Sequence, residues 1–254
     1  MPIKYARRLT GRRRSADANR HLGLVLAFVA GATNAGGFLA VQQYTSHMTG
    51  IVSSMADNLV LGAYDLVLGG LGGLLSFLLG AACSAIMVNY SRRHQLHSEF
   101  ALPLLFEALL LLGFGVLGAR LSGIHGLFVP VTVMLLCLIM GLQNALITKL
   151  SHAEIRTTHI TGIVTDIGIE LGKLLYWNVD QSPQQHPVRV NRQRLRVLGL
   201  LALNFFGGGV LGALGFKYLG YLATLPLALL LVLLAAVPAL DDLSRLGRRL
   251  LRRR

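Results

Sequence analysis

The apolar residues of this chain fall into long blocks rather than short stripes. Six blocks, near residues 22–41, 66–88, 101–120, 127–149, 197–215 and 219–238, run almost without charge. Each approaches the roughly 20 residues that a helix needs to cross the hydrocarbon core of a bilayer. Two shorter blocks, near 46–63 and 158–175, are more polar. The first holds Asp57; the second holds Asp166, Glu170 and Lys173. Only helices and closed barrels satisfy their backbone groups in lipid, and blocks this long predict helices. The expected fold class is all-α, a polytopic membrane helical bundle.

The pattern also repeats. Ser46-His47-Met48-Thr49-Gly50-Ile51-Val52-Ser53 aligns with Thr158-His159-Ile160-Thr161-Gly162-Ile163-Val164-Thr165 at an offset of 112, with five of eight pairs identical. Upstream, Gly31, Asn34 and Ala35 align with Gly141, Asn144 and Ala145 at an offset of 110. Self-similarity of this kind decides architecture before any single residue does. Each half reads as a long span, a short polar block and two more long spans. If the short blocks re-enter without crossing, there are six transmembrane helices in a 3+3 inverted internal repeat. If they cross, there are eight spans in a 4+4 parallel repeat.

Charge chooses between these. Six spans put 22 of the 24 Lys and Arg on the cytoplasmic side and leave Arg120 and Lys217 outside; eight spans give at best 19 against 5. Positive residues favour the cytoplasmic side, so six spans are expected, with both termini in the cytoplasm of a bacterial cell and the bundle in its inner (plasma) membrane. The expected organisation is a basic tail over 1–20, membrane repeats over 21–120 and 121–240, and a second basic tail over 241–254. An N-terminal signal peptide is rejected because its apolar stretch has a second copy deep in the chain.

Composition agrees with the pattern. The chain of 254 residues is 54% hydrophobic and 14% charged, with net charge +13. Soluble domains carry about 25% charged residues. The arginine-rich ends suit anionic lipid head groups. No aromatic residues are interleaved with them to stack on bases, so nucleic acid is not an expected partner. Cys83 and Cys137 lie inside apolar blocks and read as packing residues. No metal spacing, cofactor motif or catalytic constellation appears, and an enzyme is not expected.

The chemistry concentrates at the repeated segments. Ser or Thr before an apolar run is a helix start signal. A helix that starts inside the membrane presents free N–H groups and the positive end of its dipole. Transporters place solute sites at such interrupted segments in matching positions of two repeats. The candidate solute-binding residues are therefore His47, Thr49, Gly50, His159, Thr161 and Gly162, with Asn34 and Asn144 beside them. The candidates for proton or ion coupling are Asp57, Asp166 and Glu170. The expected activity is transport or channelling of a small solute through this centre. The competing expectation is a non-transporting scaffold or lipid-interacting protein, in which the same groups only bond neighbouring helices. Asp166, Glu170 and Lys173 also fit a satisfied set along one helix face. Glu107 is expected to snorkel to the interface. The runs Gly69–Gly73 and Gly207–Gly209 are expected to pack helices. Homo-oligomerisation is left open.

These residues also carry a resemblance. Gly141-Leu142-Gln143-Asn144-Ala145, Arg156-Thr157-Thr158-His159-Ile160-Thr161-Gly162 and Thr165-Asp166-Ile167-Gly168 resemble a signature of the YoaK family of bacterial polytopic membrane proteins. The block from Gly31 to Gly62, with Ser46-His47-Met48-Thr49-Gly50, resembles that family's other signature, except that Ile51 stands where Asn is common. The resemblance covers nearly all of the chain outside its basic tails. It implies a membrane protein built on a domain of unknown function, and it implies no substrate.

Overall fold

The computed structural model describes residues 16–96, 99–121, 125–150, 160–176 and 188–251. These residues form eight α-helices: α1 (Ala16–Val41), α2 (Met48–Val60), α3 (Tyr64–Arg93), α4 (Ala101–Leu121), α5 (His125–Leu150), α6 (Ile160–Leu175), α7 (Arg192–Leu219) and α8 (Thr224–Leu251). A 3-10 turn, Gly220–Ala223, joins α7 to α8. No strand occurs among the described residues. Each apolar block is thus a helix. The last helix continues into the segment expected as a basic tail, while residues 1–15 and 252–254 of the two tails lie outside the described residues.

Five stretches are long and apolar enough to cross a membrane: Ala18–Val41, Tyr64–Arg93, Ala101–Arg120, Val129–Lys149 and Arg192–Ala236. The last has 45 residues, about twice what one crossing needs. It is broken where Gly220 takes a φ of 59°, a left-handed conformation that costs glycine nothing. Composition and fold together make this a polytopic helical membrane protein. Its outer faces match lipid: Leu75, Leu78, Leu79 and Ile86 of α3, and Leu203, Phe206 and Leu211 of α7, are all exposed.

Helices in lipid gain little from burying apolar surface against one another; they associate through small residues that let backbones approach. The two most extensive contacts here, α1 with α7 and α3 with α5, follow that rule. A Cβ on Gly31 would overlap the Phe205 carbonyl, and one on Gly208 would overlap the Phe28 carbonyl. Likewise a Cβ on Gly141 would overlap the Phe77 carbonyl, and one on Gly80 the Leu138 carbonyl. Each glycine meets the carbonyl three residues before the glycine that faces it.

Such contacts also fix direction. Along α1 and α7 the pairs Phe28–Gly208, Ala32–Gly212 and Gly36–Phe216 advance together, so these helices run parallel. Gly73–Cys137 and Phe77–Gly141 make α3 and α5 parallel. Between α1 and α5 the order reverses. The Gln143 side-chain amide donates to the Leu26 carbonyl at 3.1 Å, whereas Gly37 faces Leu136. α1 and α5 are therefore antiparallel and cross near Gly31 and Gly141. α4 and α8 are antiparallel too: Gly115 and Gly118, late in α4, meet Thr224 at the start of α8 and Tyr221 in the turn before it.

These directions sort the charges. Arg20, Arg92, Arg93, Lys149, Arg192, Arg194 and Arg196 collect at one end of the bundle, where Lys149 Nζ donates to Asn89 Oδ1 at 3.0 Å. Arg120 and Lys217 sit at the other end, near the termini of α4 and α7.

Candidate functional site

Between α1 and α2 the chain turns back on itself. Gln42 leaves α1 at a φ of 54°, and its N–H still reaches the Phe38 carbonyl at 2.8 Å. Tyr44 then stacks on Phe38, with ring centroids 4.6 Å apart. Two residues on, Ser46 Oγ donates to Asn34 Oδ1 at 2.9 Å. Partners at 38 and then 34 mean that the segment descends along α1. Asn34 lies seven residues before the end of α1, which is about 10 Å of helix. α2 therefore starts well below the end of α1. It then climbs antiparallel to α3, with Met55 against Gly70. At 13 residues it is about 20 Å long, too short to span.

His47 is the N-cap of α2, and its backbone carbonyl accepts from the Ile51 N–H at 3.1 Å. Its side chain makes no capping hydrogen bond. Instead the imidazole folds onto Gly50, where a Cβ would stand 2.9 Å from Nε2 and closer still to Cδ2. The His-x-x-Gly spacing thus has a local cause: the ring needs the bare Cα one turn on. The N–H groups of Met48, Thr49 and Gly50 have no acceptor within the helix. Thr49, Ser53 and Asp57 form a row at intervals of four on the exposed face of α2, away from Ile51 and Met55, which turn toward α3 and α5.

The matching segment in the second half is seen in part. His159 lies outside the described residues. Thr161 is exposed and Gly162 half-buried in the first turn of α6, and the Thr161 carbonyl accepts from Thr165 Oγ1 at 2.8 Å. α6 packs on α7 as α2 packs on α3. Asp166 Oδ2 accepts from Arg194 at 3.0 Å, and the buried Glu170 accepts from the Asn191 N–H at 2.8 Å, so the two helices run antiparallel. Ile163 enters the main core, as its counterpart Ile51 enters the smaller cluster with Val133 and Cys137. Asn34 is buried beside the loop between α1 and α2. Asn144 is half-buried on α5, one turn from Gly141.

The three coupling candidates do not converge. Asp57 is exposed near the end of α2. Asp166 pairs with Arg194, and Glu170 pairs with Lys173 at 2.9 Å. The Asn191 N–H, and after it the Lys173 ammonium, hold the Glu170 carboxyl below the ordinary carboxylate range. The expectation for Glu107 fails: it is fully buried and does not snorkel. Position along a helix does not set burial: Glu107 shares the enclosed face of α4 with Leu104, Ala108 and Leu111.

Several other polar groups are enclosed. Thr33, Thr45, Ser84, Ser91 and Thr132 are buried with hydroxyl oxygens that have no hydrogen-bond partner, and so is Gln143 Oε1. Periodicity cannot reveal these, because Ser and Thr pass as small residues on a packed helix face. Among the described residues no group of three His, Cys, Asp or Glu side chains is arranged to hold a metal ion.

No curated protein and no solved structure matches the chain. The family described as Protein of unknown function (DUF1275), of which the YoaK proteins are members, matches residues 22–237, and the chain belongs to that family.

Proposed function

We propose that this protein moves a small solute across the bacterial inner membrane. Its two halves are inverted copies, both termini are cytoplasmic, and α2 and α6 are re-entrant half-helices that open toward opposite faces. The observation that carries the reading is the descent of residues 42–47 along α1, which delivers the start of α2 to the depth of Asn34. Irregular backbone at such depth is tolerated where it is buried in protein or lines a cavity. The exposed first-turn N–H groups favour an anionic or carbonyl-bearing solute.

The helix contacts support the inversion. Exchanging α1 with α5 and α3 with α7 turns Gly31–Phe205 into Gly141–Phe77, and Gly208–Phe28 into Gly80–Leu138. The offsets are 110 for the first exchange and 128 for the second. α4 and α8 extend the correspondence through Ala101-Leu102-Pro103-Leu104 and Thr224-Leu225-Pro226-Leu227. The unpartnered buried oxygens support a wet interior, since each would cost roughly 1–3 kcal/mol in a dry bundle.

A scaffold reading draws on one observation, that Asn34 uses its oxygen to hold Ser46. Uptake of labelled small carboxylates and amino acids into proteoliposomes separates the two readings. Transport that falls in His47→Ala, while the protein stays folded, supports a solute path. No flux for any member of the panel supports the scaffold.

A further inference from the structure

Glu107 takes no part in the site just described. It is fully buried, and neither carboxyl oxygen has a hydrogen-bond partner. Its depth follows from its neighbours on α4. Phe114 meets Phe216, with ring centroids 5.9 Å apart, and Phe216 lies over Gly36 of α1. Seven residues below Phe114 is Glu107, and seven below Gly36 is Val29. That is two residues from Gly31, where α1 and α5 cross. The carboxyl therefore sits near the midpoint of the bundle. At the matching place in α8, with Pro103 aligned on Pro226, stands Leu230.

The elements packed most extensively against α4 are α3, α5, the 3-10 turn and α8, and α7 meets it through Phe216. Their titratable and charged side chains, where described, are Tyr64, Asp65, Cys83, Tyr90, Arg92 and Arg93 on α3, Cys137 and Lys149 on α5, Tyr221 in the turn, and Arg192, Arg194, Arg196, Lys217 and Tyr218 on α7. Tyr64, Asp65, Arg92, Arg93, Lys149 and the five α7 groups lie at or near helix ends. Tyr221 meets Gly118, eleven residues and about 16 Å along α4 from Glu107. No hydrogen bond or ion pair from any of them reaches the carboxyl. An unpaired carboxylate in such surroundings takes up a proton rather than stay charged, and ionisable groups inside membranes mark ion and proton pathways.

We propose that Glu107 is a proton-binding site at the centre of the bundle. It is loaded as the neutral acid when enclosed, and it exchanges its proton with bulk water when movement of the two halves exposes it. Proton binding stands on the burial and the missing partners; that the proton accompanies a solute rests on the transport reading above. The full chain in lipid vesicles is examined by infrared spectroscopy in H2O and D2O over a pH series, as wild type and as Glu107→Gln. The amide is isosteric with the neutral acid. Glu107→Leu, which places there the side chain found at position 230, is a second reference. The expected wild-type-minus-variant spectrum contains the carbonyl band of a protonated carboxyl. That band moves in D2O and disappears as pH rises. Absence of the band at neutral pH overturns the proposal. So does a band indifferent to both D2O and pH, which marks a sealed packing residue. Neither result depends on solute flux, so a failure of the transport reading is visible separately.

Discussion

The four close glycines make the sharpest energetic prediction, because the same substitution has opposite expected signs at neighbouring positions. In a helix, Gly→Ala ordinarily stabilises by about 0.5–1 kcal/mol. Gly69, Gly113, Gly199 and Gly207 have open space where a Cβ would go, so alanine there should be neutral or stabilising by that amount. At Gly31, Gly80, Gly141 and Gly208 the Cβ would overlap a backbone carbonyl of the facing helix, which cannot rotate away as a side chain can. Overpacking costs about 1–3 kcal/mol or more, and the helix gain offsets only a fraction of that. The net loss at each should be about 1–2 kcal/mol, a factor of roughly 5–30 in the folded ratio. Unfolding in mixed micelles, followed by circular dichroism, reads it directly. Gly31→Ala and Gly141→Ala should lose similar amounts, since each faces a Phe carbonyl in the same register. If Gly31→Ala were as stable as Gly207→Ala, the close α1–α7 approach would be wrong.

Other predictions concern α2, α6 and the segments beside them. Ser46→Ala should loosen the loop by about 1 kcal/mol, the worth of a typical hydrogen bond; the checkable outcome is faster amide exchange over residues 42–50 with little change elsewhere. Gly50→Ala should displace the His47 ring, visible as a shift of its imidazole resonances without loss of helix content. Asp166→Asn removes a partly exposed pair and should cost less than ~1 kcal/mol in the same unfolding assay. Glu170→Gln should cost more than Asp166→Asn, since Glu170 is buried and serves both Lys173 and Asn191. Because folding holds the Glu170 carboxyl low, its contribution is full above the unfolded value of about 4.3. It is lost as pH falls through the folded value. Acidification below about pH 4 should therefore loosen the α6–α7 hairpin, and Glu170→Gln should abolish that pH dependence.

Much of this architecture was legible in the chain because lipid imposes length. The block at 66–88 became α3 over Tyr64–Arg93, and the block at 127–149 became α5 over His125–Leu150. The first His-x-Thr-Gly also pointed to a helix start, that of α2 at Met48. What the pattern could not convey was depth and facing. The glycine runs were expected to pack as units, yet Gly208 touches a backbone while Gly207 meets open space. One helical position is 100° of rotation, and hydropathy is blind to it when both faces are apolar. The descent of residues 42–47 depends on a left-handed Gln42 and on one aromatic stack, neither of which has a periodic signature. Glu107 was misjudged because distance along a helix was used as a proxy for depth in the bundle.

The central claim is that the halves are inverted and that residues 42–60 re-enter without crossing. Labelling of single cysteines in intact cells by a membrane-impermeant thiol reagent tests it, with Cys83 and Cys137 first replaced. Leu61 and His94 are both exposed and flank the two ends of α3. The account predicts that Leu61→Cys is labelled from outside and that His94→Cys is labelled only after the membrane is opened. Labelling of His94→Cys from outside, with Leu61→Cys protected, would mean that α2 crosses the membrane and that the halves are parallel.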